Sequence, residues 1–179
     1  MKKCMFKNTY RLACGVLLIL FGTAFLQKDT LSEEIKKADP VFVKRVVDGD
    51  TIVLSDKTRV RLIGIDTPEL HFSRKLLRDS KRSGRDTASI QKMGELAMEF
   101  TQSLCLGKKV RLEYDVERQD RYGRTLAYVW LDDGTFANAE IVKSGYASVM
   151  TVPPNVKYAD LFVMSAAEAR EKKRGLWKE

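Results

Sequence analysis

Histidine, cysteine and long apolar runs are all scarce in this 179-residue chain. The one histidine, His71, lies in an irregular basic segment, so a catalytic thiol would have no suited partner. Of the three cysteines, Cys4 and Cys14 fall in the first 24 residues, which leaves Cys105 with no mate for an internal disulfide. Cys105 stands in an apolar stretch, where a free thiol behaves as a small hydrophobe. No uncharged apolar run reaches the roughly 20 residues of a comfortable membrane span. The longest, residues 12–26, follows a basic stretch and contains Gly22-Thr23-Ala24, small residues suited to signal-peptidase cleavage after Ala24. Residues 1–26 therefore read as a signal peptide, with an uncleaved membrane anchor as the alternative. The protein is expected to be exported: secreted or periplasmic, or held on the outer side of the inner membrane.

Acids are absent from the first 24 residues, which hold Lys2, Lys3, Lys7 and Arg11. The formal net charge of +8 is inflated by that stretch; the remainder has 28 basic and 24 acidic residues, a net of +4. A mildly basic domain favours polyanionic partners without proving any. Residues 27–40 are polar and mixed in charge, a linker, and the folded domain is expected over 41–177.

Within that domain, β-branched runs and turn residues predict strands over 41–47, 51–54 and 59–65, joined by short turns at Asp48-Gly49 and Ser55-Asp56-Lys57 as an antiparallel meander. Glycine in the first turn is expected for its tolerance of positive φ. Residues 70–91 show no clear apolar period and read as an exposed basic loop, with partial helix as the alternative, carrying Arg74, Lys75, Arg78, Lys81, Arg82 and Arg85 against Asp79 and Asp86. Ile90, Met93, Leu96, Ala97, Phe100 and Leu104 recur at helical spacing and predict a helix over 87–106. Alternation predicts strands over 108–116 and 124–131, and two helices follow over 137–143 and 158–173. The order βββ-α-ββ-α-α defines an α+β domain: a five-stranded barrel of the OB type with three helices.

Three short segments carry the chemistry: Val47-Asp48-Gly49-Asp50-Thr51, Arg61-Leu62-Ile63-Gly64-Ile65-Asp66-Thr67-Pro68-Glu69 and Asp120-Arg121-Tyr122-Gly123-Arg124. Taken singly, each reads as a charged turn. Together they offer oxygen ligands for a hard divalent cation and guanidinium forks for phosphate oxygens. Arg61 and Asp66 are five residues apart, so on a straight strand they would point to opposite faces. For them to meet, the strand must bulge or end near Gly64.

These segments, with Gly94-Glu95-Leu96-Ala97-Met98-Glu99-Phe100, Ala139-Glu140-Ile141-Val142-Lys143-Ser144-Gly145-Tyr146-Ala147 and Gly175-Leu176-Trp177, resemble the staphylococcal nuclease (thermonuclease) family. The resemblance implies a barrel with helices and calcium-dependent cleavage of DNA and RNA that leaves 3′-phosphate ends. It implies Asp50, Asp66 and the Thr67 carbonyl as calcium ligands, Glu69 as the group that orients or deprotonates water, and Arg61 and Arg124 as phosphate clamps. Asp48 reads as a turn former. The tyrosines that pack on the nucleotide in the type member are missing from residues 149–154, which leaves Tyr122, beside Arg121, to stack on a base. The basic segment after Glu69 is longer than in the type member and is expected to contact flanking phosphates. The chain is expected to act as a monomer, touching a membrane only through its N-terminal segment. A non-catalytic nucleic-acid-binding module and a membrane-anchored structural domain are the alternatives; the full set Asp50, Arg61, Asp66, Glu69 and Arg124 favours the enzyme.

Overall fold

The computed structural model describes residues 39–178. The signal or anchor segment and most of the linker lie outside the described residues. Among the described residues seven strands form: β1 (Val41–Asp48), β2 (Thr51–Leu54), β3 (Arg59–Leu62), β4 (Gly64–Asp66), β5 (Lys109–Glu113), β6 (Thr125–Leu131) and β7 (Ser148–Met150). Four α-helices accompany them there: α1 (Arg74–Ser83), α2 (Thr87–Cys105), α3 (Ala137–Lys143) and α4 (Ala159–Glu171). A 3₁₀ turn, Gly175–Trp177, ends the described chain.

β1, β2, β3, β6 and β5 close into a barrel in that order. The meander β1–β2–β3 is antiparallel, as its short turns require, and two register shifts along β1 bend it around the core. The barrel closes where β3 runs parallel to β6 and where Val41 of β1 pairs with Val110 of β5. The parallel pairing is not one that hairpin reasoning yields, because the α2 crossover separates the two strands in sequence. Val43, Ile52, Leu54, Val60, Leu62, Val110 and Val129 fill the interior, and Tyr128 and Phe162 are the largest wholly buried side chains.

Three expectations are corrected. The third strand does not run through residue 65. It stops at Leu62, and Gly64, at φ +83°, starts a separate strand, β4, which pairs with β7. The segment 70–91, read as an exposed loop with partial helix as the alternative, contains the ten-residue α1, a helix beyond the three expected. Ser73 caps it by accepting from the Leu76 N–H at 3.0 Å, and Gly84 ends it in the left-handed conformation. Leu76 is its one buried residue, too sparse an apolar pattern to show a period. Lastly, α2 buries Ile90, Gly94, Ala97, Thr101 and Cys105, whereas Leu96 is exposed. Small residues dominate this stripe because the helix lies almost on the backbone. A Cβ at Gly94 would stand 2.9 Å from the Glu69 carbonyl, and one at Gly49 2.9 Å from Ala97 Cβ and 2.6 Å from Thr67 Cγ2. Gly49 is thus required for room, and not for positive φ.

Candidate active site

Asp50 leaves the β1–β2 turn with its side chain buried. Its Oδ2 accepts from the Thr67 N–H at 3.0 Å and the Thr67 hydroxyl at 3.2 Å, and pairs with Arg61 Nη1 at 3.0 Å. Its Oδ1 accepts from the Thr51 hydroxyl at 3.1 Å. The break at Gly64 resolves the odd spacing: Asp66 returns to Arg61, whose Nη2 lies 3.1 Å from Oδ1. One buried guanidinium therefore bridges the two carboxylates, with Nη1 also donating to the Leu62 carbonyl at 3.1 Å. Two hydrogen bonds, to the Leu62 carbonyl and Asp66, and the ion pair with Asp50 engage both terminal nitrogens, so the fork is turned mostly inward. Asn138, which no motif singled out, locks the bend. Wholly buried, it donates to the Ile63 carbonyl and accepts from the Val129 N–H, both at 2.9 Å, and so ties the break after β3 to β6.

Glu69 stands at the start of the segment leading to α1. Its Oε2 accepts from the Ser73 hydroxyl at 3.1 Å and its Oε1 meets Lys75 Nζ at 2.9 Å. Lys75, read from sequence as one of six exposed basic residues, is turned inward. Its ammonium also reaches Asp66 Oδ2 and the Thr67 carbonyl, each at 3.2 Å. Arg74, Arg78, Lys81, Arg82 and Arg85 remain exposed.

Asp48 does more than shape a turn. Its Oδ1 accepts from the Asp50 N–H at 3.2 Å. It lines a cleft of about 40 Å³ with Asp50, Thr67, Pro68, Glu69, Leu70 and His71. Burial, then the neighbouring Asp50 carboxylate, raises its carboxyl to about 7. Burial also raises Asp66, despite the opposing Lys75 and Arg61 cations, and Asp50 adds to the rise. For Lys75, burial works against the ammonium, but Asp66 and Glu69 outweigh it and hold the proton more firmly than in water. Four carboxyls thus share a small region with two cations, a surplus of negative charge that suits a hard cation with oxygen ligands. Among the described residues no three His, Cys, Asp or Glu side chains form a cation cage by themselves. The oxygens that do converge include a main-chain carbonyl: Thr67 O, Asp66 Oδ2 and Glu69 Oε1 all meet the ammonium of Lys75. These are oxygen donors, the kind a hard divalent cation takes.

Arg124 is not brought into contact with these acids. Its Nε pairs with Asp120 at 2.7 Å, and its N–H donates to the same carboxylate. Arg124 directly precedes β6, in which Leu126 is level with Arg61 of β3. Tyr122 is exposed on the same turn, with the guanidinium of Arg121 4.8 Å and that of Arg124 5.7 Å from its ring centre. Cys105 is wholly buried and burial pushes its thiol up to about 12, so it is no nucleophile.

A barrel with acids and a guanidinium gathered at one side is shared by many nucleic-acid-handling proteins, and comparison narrows the class. Residues 59–179, more than half of the chain, match the model of the family described as staphylococcal nuclease homologue. The chain is 40% identical to the thermonuclease of Staphylococcus intermedius over 144 residues, 79% of this chain and 77% of that protein. It is 37% identical to the thermonuclease of Staphylococcus hyicus, over 75% of this chain and 73% of that one. To the endonuclease YncB of Bacillus subtilis it is 34% identical, over 82% of this chain and 65% of that protein. The chain belongs to the staphylococcal nuclease homologue family.

Proposed function

We propose that this protein is a calcium-dependent endonuclease that hydrolyses phosphodiester bonds of DNA and RNA with low sequence preference, leaving 3′-phosphate ends. The observation that carries this reading is the convergence of Asp50, Arg61, Asp66, Thr67 and Glu69 from two separate motifs onto one side of the barrel. Asp50, Asp66 and the Thr67 carbonyl would hold the cation. When bound, calcium supplies polarisation of a phosphoryl oxygen and neutralises backbone charge. Glu69 receives a proton from, or orients, the attacking water. Its carboxylate is held by the Ser73 hydroxyl and Lys75, and its main chain by the close approach of Gly94. Among the described residues Arg61 Nε makes no hydrogen bond to protein and leaves a donor for a phosphate oxygen where negative charge builds up.

Arg124, with Arg121 and Tyr122 on the turn before β6, serves the other side of the substrate: guanidinium for phosphate, exposed ring for a base. Sequence preference is low because these groups address phosphate and cation, not base edges. The exposed face of α1 adds Arg74, Arg78, Lys81 and Arg82, and the turn after it Arg85, for flanking phosphates. Export is supported by the basic stretch and apolar run of the first 26 residues. The protein acts as a monomer.

The test is cleavage of plasmid and single-stranded DNA by the wild type and by Glu69→Gln, with calcium, magnesium or a chelator. Wild type should cut with calcium only, and Glu69→Gln should lose about 10²–10⁴-fold in rate while still binding DNA. No cutting under any condition would return the protein to the class of non-catalytic binding modules.

A further inference from the structure

We propose that Lys75 is a tethered competitor for the divalent cation, an ammonium built into α1 that holds the oxygens calcium needs and raises the calcium concentration at which the site fills. The inference rests on the calcium reading above. One nitrogen, Lys75 Nζ, lies within 3.2 Å of Asp66 Oδ2, Glu69 Oε1 and the Thr67 carbonyl. Two of these belong to the set assigned to the cation, and the third belongs to the group assigned to water. An ammonium and a dication cannot both sit on them, because like charges a few ångströms apart repel strongly in a half-buried site.

The geometry also supplies the exit. Lys75 is the second residue of α1, and Asp79 Oδ2, one helical turn on, is already 3.8 Å from Nζ. A rotation of the flexible side chain moves the ammonium onto Asp79 without undocking the helix, which Leu76 anchors and Ser73 caps. Departure has a second effect. Both oxygens of Glu69 are engaged, one by Ser73 and one by Lys75, so withdrawal of the ammonium frees Oε1 for water. Cation arrival and readiness of Glu69 become one event. A site held in this way fills only where calcium is plentiful, as around extracellular calcium modules with dissociation constants of about 10⁻⁴–10⁻³ M.

The experiment is calorimetric titration of the purified full-length protein with calcium chloride. Lys75→Met should tighten binding roughly tenfold, since two partly exposed ion pairs no longer oppose it. Arg78→Met removes the same charge from the same helix; its guanidinium stands 3.9 Å from Asp79 on the exposed face and touches none of Asp66, Thr67 and Glu69, so affinity should change less than about twofold. Asp79→Asn should weaken binding a few-fold in the wild type and have no effect in the Lys75→Met background. Equal affinity of wild type and Lys75→Met, or equal gains from Lys75→Met and Arg78→Met, overturns the competition. Absence of calcium binding in both wild type and Lys75→Met overturns the calcium reading itself. A measurement on the unmutated protein stands beside these: reductive methylation of Lys75, followed by peptide mass spectrometry, should be faster in calcium than in chelator, and an unchanged rate also overturns the proposal.

Discussion

Replacing Gly64 by alanine should damage both the fold and the site, and the damage can be apportioned. Gly64 sits at φ +83°, where an L side chain costs about 1–2 kcal/mol. Its added Cβ would also meet the ring of Phe162, 2.6 Å from Cδ2, well inside any normal carbon–carbon contact. That ring cannot step aside: Phe162 is 1% exposed and sits against Tyr128 and Phe136. Overpacking of this kind costs about 1–3 kcal/mol. The stiffer unfolded chain offsets about 0.4–1 kcal/mol, for a net loss of about 1–5 kcal/mol in urea denaturation. Trimming the ring isolates the steric part. In a Phe162→Leu background, Gly64→Ala should cost about 1–2 kcal/mol less than in the wild type, the size of coupling expected for residues in contact. Additivity to within about 0.5 kcal/mol would refute the close approach of β4 and α4. The same substitution pushes Asp66 away from Arg61, and a displacement near 1 Å is enough for about a 10²-fold loss in kcat/KM.

Asn138→Ala strands the Val129 N–H and the Ile63 carbonyl inside the protein, at about 1–3 kcal/mol each; a total loss below about 1 kcal/mol in urea denaturation would show that neither group depends on it. Asp48 predicts a pH effect of definite sign. Its carboxyl is raised from 3.8 to about 7 on folding, so its contribution to stability is fully present below pH 3.8 and disappears as pH rises through about 7. Asp48→Asn in chelator should therefore gain melting temperature over wild type as pH goes from 4 to 7 and keep a constant advantage above about 8. A difference independent of pH would mean that Asp48 ionises in the fold as it does in water.

Much of the barrel was legible because its cues are local. Alternation and short turns marked the meander, and the two late strands were placed within a few residues. The break at Gly64 followed from parity alone, since Arg61 and Asp66 could meet only if the strand stopped between them. β7 was not legible: three residues, half-buried or exposed, carry no periodic signal, and they become a strand only because β4 needs a partner. The stripe of α2 was misplaced because apolar periodicity finds large residues, whereas this helix approaches the Glu69 and Gly49 backbone so closely that Gly94, Ala97 and Thr101 must face it. Asn138 gave no signal, as its partners are 75 residues back and 9 residues back in the chain.

The sequence by itself determined the donor inventory: which carboxylates, which guanidiniums, in which order, and hence the family. These follow from side-chain chemistry, which folding does not alter. Tertiary structure decided how the charges are spent. It turned the Arg61 fork onto two acids, set Arg124 against Asp120, gave Asp48 a share in the acid cluster and drew Lys75 out of an exposed basic series into the centre of the site. The reason is electrostatic: a charge taken out of water must be met by whatever opposite charge lies nearest in space. In this chain the nearest neighbour is more often across a turn or a helix than along the sequence.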